Sequence, residues 1–213
     1  IGSKYALGVA NGSDALYLSL KALGIGPGDE VITAPNSFIA SAWTIANTGA
    51  SVVFADVRSD FNIDPEAVEK AITSKTKAIM PVHLTGKVAD MVRLQEISTR
   101  HQIHIVEDSA QAVGASLNGQ KAGSFGIAAG FSLHPLKNLH VHGDGGVLTT
   151  SDQGLYDELK HWRNHGLRNR DECAFWGINS RLDAIQAAIA NIKLPHLDAI
   201  NSEFRSIANR YSA

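Results

Sequence analysis

The sequence lacks several features on which whole classes of function depend. Its 213 residues include one cysteine, Cys173, so the chain cannot close an internal disulfide and holds no Cys-x-x-Cys pair for zinc. The 19 Lys and Arg residues are outnumbered by 21 Asp and Glu and lie scattered, leaving no basic stripe to neutralise nucleic-acid phosphates. We therefore expect no nucleic-acid partner, no bound metal, and a reducing compartment, the cytoplasm, as the place of action.

Long hydrophobic segments are absent as well. A membrane-spanning helix needs about 20 consecutive apolar residues, and Asp, Glu, Lys or Arg interrupts every apolar segment before that length. The sequence therefore predicts a soluble chain with no membrane partner. It begins at Ile1 rather than Met and ends at Ala213 just after a strongly helical stretch, so we expect cuts at both ends rather than natural termini.

Short apolar segments alternate with helical ones. A helix is predicted after Ser13, with Leu16 and Leu20 at helical spacing, and another begins at Pro65 with Asp64 as its N-cap. The other predicted helices are 38–47, 91–100, 155–163, 182–192 and 197–211. The predicted strands are 30–34, 51–57 (buried), 78–84, 103–108, 127–133 and 146–150, with a hairpin at 118–119. The alternation predicts an α/β fold in three layers, α/β/α, around a mostly parallel sheet. Functional residues are then expected at the strand ends.

A short polar segment precedes the first predicted helix. Free backbone N–H groups and the positive end of the helix dipole favour an anion there, and Ser13 could add a hydroxyl donor. The alternative is that Ser13 or Gly12 simply caps the helix. Neither Gly-x-Gly-x-x-Gly after a strand nor Gly-x-x-x-x-Gly-Lys-Ser/Thr occurs, so dinucleotide and P-loop sites are not predicted.

Two further groups stand near predicted strand ends. Asp108 closes the strand 103–108, where its carboxylate could cap a turn or hold a protonated pyridine nitrogen. Lys137 lies in a loop after the strand 127–133. Most lysines are solvated surface charges, but a partly unprotonated, buried lysine can bond to an aldehyde. An anion site, an acid and a lysine match the phosphate, ring nitrogen and aldehyde of pyridoxal 5'-phosphate.

The residues that carry a family resemblance are distributed over nearly the whole chain. They include Glu-Asp-Ser-Ala-Gln at 107–111 and Phe-Ser-Leu-His-Pro-Leu-Lys-Asn at 131–138. Further matching segments are 12–16, 26–32, 62–65 and 81–84. In these motifs and their order, the sequence resembles the DegT/DnrJ/EryC1/StrS family of pyridoxal-phosphate-dependent sugar aminotransferases. The resemblance implies the aspartate aminotransferase fold, known as fold type I.

The resemblance also implies roles for individual residues. Lys137 would bond covalently to the cofactor aldehyde and shuttle protons, while Asp108 would pair with the ring nitrogen. The other implied cofactor contacts are Ser13, the backbone of Asp14 and Ser132 to the phosphate, Gln111 to the ring hydroxyl, Phe38 stacked on the ring, and Asn179 to the phosphate of the neighbouring subunit. Other interpretations are a core aromatic for Phe38, a turn or helix cap for Asn179, and a hydrogen-bonded strand-end histidine for His83.

The implied reaction is transfer of an amino group from an amino acid donor, expected to be L-glutamate, to a nucleotide-linked ketosugar, with pyridoxamine phosphate as the intermediate form. It would serve amino-sugar, cell-surface polysaccharide or antibiotic-sugar biosynthesis, in a homodimer with shared active sites. One alternative is a sugar dehydratase of the family, although dehydrating relatives tend to carry histidine where this chain has Lys137. Another is a non-catalytic regulatory relative that binds the cofactor or a sugar nucleotide.

Family members are longer than this chain, and this difference sets the expected domains. Residues 1–194 would form the cofactor-binding large domain, shortened at its N-terminus. Residues 195–213 would begin the linker helix to a small C-terminal domain that is missing here, with the boundary near Pro195.

Overall fold

The computed structural model describes residues 1–212, which form nine strands and seven α-helices. In chain order they are β1 (Tyr5–Val9), α1 (Gly12–Ala22), β2 (Glu30–Thr33), α2 (Ala40–Asn47), β3 (Ser51–Phe54), α3 (Pro65–Ala71), β4 (Thr76–Met80), α4 (Met91–His101), β5 (His104–Asp108), β6 (Ser116–Leu117), β7 (Gln120–Lys121), β8 (Ala128–Ser132), β9 (Gly146–Thr150), α5 (Gln153–Trp162), α6 (Ala184–Lys193) and α7 (Leu197–Ser212). Short 3₁₀ turns lie at Leu84–Gly86 and Leu194–His196.

Seven strands form one sheet in the order β1-β9-β8-β5-β4-β2-β3. The neighbours from β3 to β8 pair in parallel, whereas β9 runs antiparallel to both β8 and β1. Six strands therefore share one direction, which confirms the mostly parallel sheet, and their carboxyl ends meet at one edge. The strands β6 and β7 form the predicted separate hairpin, in which Asn118 and Gly119 both have positive φ.

Successive residues of the central strands point to opposite faces of the sheet, and each face is covered by helices. Ile32 packs with Val68 of α3 and Leu94 of α4. Its neighbour Val31 packs instead with Leu16 and Ile45, which come from α1 and α2. Helix α5 extends the α1 side of the core, while α7 contributes Leu197 to a cluster with β8 and the loop after it. The three layers predicted from the alternation are therefore present.

Three strand predictions need correction. The segment 51–57, predicted as a buried strand, is the edge strand β3, which ends at Phe54, and that side chain is 55% exposed. The strand predicted to reach residue 84 ends at Met80, just before Pro81, which has no N–H for the ladder. Strand β1 was not predicted at all, and it pairs with β9 at the opposite edge of the sheet.

The helix predictions hold more closely. Asp64 caps α3 by accepting a hydrogen bond from the Glu66 N–H at 3.1 Å, with Pro65 at the first helical position. Pro195 lies in the 3₁₀ turn between α6 and α7. The predicted domain division there stays a prediction, and Ala213 lies outside the described residues. Within residues 1–212, no helix combines the length and apolar character that crossing a membrane requires.

Candidate active site

A cavity of about 620 Å³ opens at the sheet edge where the carboxyl ends of β5 and β8 meet the start of α1. The loop between β8 and β9 and the start of α2 complete its wall. Its lining includes Asn11, Gly12, Ser13, Asp14, Phe38, Trp43, Asp108, Gln111, Ser132, Lys137 and Asp144. The position agrees with the expectation that function lies at the strand ends.

The first turn of α1 forms one end of the cavity and packs directly against β8. A Cβ on Gly12 would lie 2.8 Å from Ser132 Cβ, so only glycine allows this approach. The N-cap of α1 is Asn11, whose Oδ1 accepts a hydrogen bond from the Asp14 N–H at 2.7 Å. The interpretation of Ser13 or Gly12 as the cap was therefore wrong. The Ser13 hydroxyl remains available beside the positive end of the helix.

Asp14 is held on two sides. Its N–H is engaged by the Asn11 cap, and its carboxylate accepts a hydrogen bond from Ser180 Oγ at 2.6 Å. Ser180 Oγ in turn accepts one from the Ala10 N–H at 3.0 Å. The segment before α6 is thereby tied to the start of α1. A phosphate contact by the Asp14 backbone stays a prediction, and it would require the Asn11 cap to share that N–H.

Asp108 presents a buried carboxylate to the cavity from the end of β5. Its side chain accepts hydrogen bonds from Ser41 Oγ at 2.7 Å and from the Ala110 N–H at 3.1 Å, and the residue is only 6% exposed. Burial raises the pKa of Asp108, because a low-dielectric surrounding disfavours the charged form, while these two hydrogen bonds oppose the shift. A cation in the cavity would stabilise the carboxylate.

Behind Asp108 lies a fully buried pair, His83 and Glu107. The Glu107 carboxylate lies 2.9 Å from His83 Nε2 and accepts three backbone N–H groups of the segment 123–126. His83 Nδ1 accepts a hydrogen bond from the Ala89 N–H at 3.2 Å. The ring proton is therefore on Nε2, which donates a hydrogen bond to Glu107. The expectation of a hydrogen-bonded strand-end histidine is met. The network fixes the end of β5, and with it the base of Asp108.

Lys137 reaches the cavity from a turn between β8 and β9. Its N–H donates to the His134 carbonyl oxygen at 2.9 Å, which closes the turn, and its side chain is half-buried. The positive charge of Lys137 is close enough to lower the pKa of Asp108 slightly against the effect of burial. The lysine and the acid line the same cavity.

The structure brings together most of the predicted site residues in this cavity. Those lining it are Ser13, Asp14, Phe38, Asp108, Gln111, Ser132 and Lys137. Phe38 is 71% exposed at the cavity wall, so the interpretation as a core aromatic was wrong. Asn179 is not among the lining residues; it pairs with Asn164 in an isolated bridge and accepts from Arg181 Nε at 3.1 Å.

Sequence reasoning missed Asn11, Ser41 and Trp43. Asn11 stands in a run of four residues that all favour the N-cap position, so its role could have been weighed with theirs. Ser41 and Trp43 lie inside a helix far along the chain from Asp108, and no local pattern marks them. In residues 1–212, no cluster of three or more His, Cys, Asp or Glu is placed to hold a metal ion.

Comparisons with known proteins give a consistent result. A sequence model of the DegT/DnrJ/EryC1/StrS aminotransferase family matches residues 1–213. The dTDP-3-amino-3,6-dideoxy-alpha-D-galactopyranose transaminase of Aneurinibacillus thermoaerophilus is 49% identical over 211 residues, which are 99% of this chain and 58% of that protein. The chain therefore spans little more than half the length of this relative.

Two solved structures show the same architecture. DesV of S. venezuelae, in complex with a ketimine intermediate, is 48% identical with a TM-score of 0.90, over 92% of this chain and 53% of DesV. NtdA of Bacillus subtilis, with bound cofactor PMP, is 34% identical with a TM-score of 0.83, over 88% of this chain and 43% of NtdA.

Proposed function

Because the chain belongs to the DegT/DnrJ/EryC1/StrS aminotransferase family, we propose that the protein containing it is a pyridoxal-phosphate-dependent aminotransferase. It moves an amino group from an amino acid, L-glutamate, to a nucleotide-linked ketosugar. The observation that carries this proposal is the single cavity lined by Ser13, Asp108 and Lys137 together. The relative from A. thermoaerophilus, named as a transaminase of a dTDP-linked amino sugar, supports the substrate class.

The residues of the cavity fit pyridoxal phosphate. The start of α1 lines the cavity and packs so closely against β8 that a Cβ at Gly12 would collide with Ser132, and the N-terminus of a helix favours a phosphate. Asp108 offers a buried anion to a protonated ring nitrogen. Gln111 Oε1 accepts from the Thr85 N–H at 2.8 Å, so its amide nitrogen is the group left to donate to the ring hydroxyl.

When bound, pyridoxal phosphate supplies an electron sink that stabilises negative charge on the reacting carbon. The residues of this chain set the conditions for that chemistry. Asp108 keeps the ring nitrogen protonated by presenting a carboxylate to it. Lys137 would hold the cofactor covalently, and its unprotonated Nζ would accept the proton from the donor's α-carbon and deliver it to the carbon that was the cofactor's aldehyde. Phe38 limits how the ring can move, and Ser13 and Ser132 hold the phosphate.

We further propose a homodimer whose two active sites are shared between subunits. Asn179 lies outside the cavity of its own chain, which suits the contact with a neighbouring phosphate that the family resemblance implies. Leu136 and Trp176 are 88% and 93% exposed, and such side chains are favoured in subunit interfaces. As the cellular setting we propose amino-sugar biosynthesis in the cytoplasm, a reducing compartment in which an exposed Cys173 stays a free thiol.

The test uses the full-length protein and ¹⁵N-labelled L-glutamate. After reaction with the donor, the pyridoxamine form is mixed with a panel of nucleotide-linked ketosugars, and the decay of its absorbance is followed. We expect one ketosugar to yield an amino sugar that carries ¹⁵N, with no such product from Lys137→Ala. Loss of water without transfer of nitrogen would indicate a dehydratase instead. Bound cofactor that reacts with no amino donor would indicate a regulatory relative.

A further inference from the structure

The Asp108 carboxylate is held by a hydroxyl group that does not itself line the cavity. Ser41 lies in the first turn of α2 and is 1% exposed, and its Oγ donates to Asp108 Oδ2 at 2.7 Å. The Ala110 N–H donates to the other oxygen, Oδ1, at 3.1 Å. With one donor on each oxygen, the carboxylate cannot rotate about its last single bond without losing a hydrogen bond. Its orientation toward the cavity is therefore fixed.

The Ser41 hydroxyl is itself oriented toward Asp108. A serine within a helix commonly donates to a carbonyl oxygen of the preceding turn, but the Phe38 carbonyl oxygen lies 3.4 Å from Ser41 Oγ, much farther than Asp108. Ser37 Oγ lies 2.8 Å from Ser41 Oγ and can donate to it. The chain of hydroxyls from Ser37 to Ser41 to Asp108 polarises the last bond toward the carboxylate.

A hydrogen bond of this kind favours the ionised acid. His83 and Lys137 are the titratable groups near Asp108. Of the groups that oppose the effect of burial on the pKa of Asp108, the hydrogen-bonded Ser41 hydroxyl has the largest effect. Hydrogen bonds to charged groups are the strong ones among those in proteins. The Ser41 hydroxyl, which makes the shorter of the two hydrogen bonds to Asp108, therefore opposes the effect of burial and favours the ionised form of the acid.

We propose that Ser41 is a positioning residue of the aminotransferase, which acts through Asp108 by aiming its carboxylate at the cofactor's ring nitrogen and keeping it ionised. The inference rests on the proposed function, since it assumes a protonated ring beside Asp108. The inference and the proposed function can be tested separately, because they concern different properties of the protein. The inference concerns cofactor affinity and the ionisation of Asp108, whether or not any sugar is aminated.

The test compares Ser41→Ala with a matched control, Thr44→Val, in the full-length protein. Thr44 is a buried residue of the same helix, and its hydroxyl bonds to the Ser41 carbonyl oxygen, so the control removes a buried hydroxyl without touching Asp108. We expect Ser41→Ala to weaken pyridoxal phosphate binding about tenfold and Thr44→Val to change it less than about twofold. We expect Ser41→Thr, which keeps the hydroxyl, to bind pyridoxal phosphate as tightly as the wild type does.

A double-mutant cycle separates positioning from packing. In the Asp108→Asn background, Ser41→Ala is expected to weaken binding less than about twofold, because the charge that the hydroxyl stabilises is gone. Equal losses in Ser41→Ala and Thr44→Val, or an equal loss from Ser41→Ala with and without Asp108, would overturn the inference. Normal cofactor binding with these expected shifts, but no amination of any ketosugar, would contradict the proposed function alone.

Discussion

At the scale of single residues, the site depends on a carboxylate that the fold makes costly to ionise. Asp108 is buried, and its pKa is raised by the loss of water around it. A protonated ring nitrogen placed against it would reverse that shift by supplying a positive charge. The residue is therefore expected to destabilise the cofactor-free protein at neutral pH and to contribute to binding when the cofactor is present.

The cost of ionising Asp108 predicts how the stability of Asp108→Asn, relative to the wild type, depends on pH. The raised pKa means that the folded state binds the proton more tightly than the unfolded state, so the wild type loses stability as the pH rises from the ordinary carboxyl range through the folded pKa. The variant lacks this loss. As the pH rises from about 4 toward neutral, we expect the free energy of unfolding of the cofactor-free variant to increase relative to that of the wild type.

Urea unfolding of both cofactor-free proteins across this pH range measures the effect. The same titration with saturating pyridoxal phosphate serves as the control. There the stability advantage of Asp108→Asn should disappear, because the variant has no carboxylate to pair with the protonated ring nitrogen. If the difference in free energy of unfolding between the two cofactor-free proteins does not change with pH, burial does not raise the pKa of Asp108.

At the scale of elements, the sequence predicted what local chemistry decides and missed what distant pairing decides. Helix α3 was predicted with its cap because Asp64 and Pro65 act within one turn. Strand β1 was missed because its assignment depends on pairing with β9, which lies far along the chain. The edge position of β3 was likewise unpredictable, since a short apolar run such as Val52-Val53-Phe54 has the same pattern in a central and an edge strand.

The site followed the same division. Asp108 and Lys137 were found because Asp108 closes an apolar strand and Lys137 lies in the loop after another, and the parallel sheet brings such ends together. The Ser41 contact spans 67 residues and joins a helix to a strand end, so it depends on how α2 packs against the sheet. No sequence period carries that information.

The Glu107 network makes a prediction about how the elements are joined. Both carboxylate oxygens accept hydrogen bonds, from His83 Nε2 and from three backbone N–H groups. In Glu107→Gln, one oxygen becomes an NH₂ group that must face another donor in either orientation. We expect the free energy of unfolding to fall by about 3 kcal/mol.

Thermal or urea unfolding of the cofactor-free full-length protein gives this value. Glu96→Gln provides the matched control, because Glu96 is half-exposed, pairs with Arg93 on the surface of α4, and should change stability by less than about 1 kcal/mol. Similar losses in the two variants would mean that the buried network does not hold the end of β5 in place.

At the scale of the whole molecule, the chain is a three-layer unit with its cavity at one sheet edge and large apolar side chains left exposed around it. It spans between 43% and 58% of the length of the relatives compared with it. The proposed arrangement of two such units places Asn179 of each subunit at the site that contains Lys137 of the other.

This arrangement predicts complementation between two defective variants. Lys137→Ala and Asn179→Ala homodimers each carry the same defect in both sites. A heterodimer would combine both defects in one site and leave the other site intact. Random reassembly of an equal mixture should therefore recover about a quarter of the wild-type activity. Activity no higher than the mean of the two parents would contradict sharing, and sedimentation of the mixture confirms that dimers have re-formed.

Lys137 is proposed as the covalent anchor of a pyridoxal phosphate bound in this cavity. The most direct test is to load the full-length protein with the cofactor, reduce it with borohydride, and map the modified peptide by mass spectrometry. We expect a single pyridoxyl group on Lys137, absent from Lys137→Ala and unchanged in Lys121→Ala, since Lys121 is an exposed lysine outside the cavity. Modification of another lysine, or of none, would contradict it.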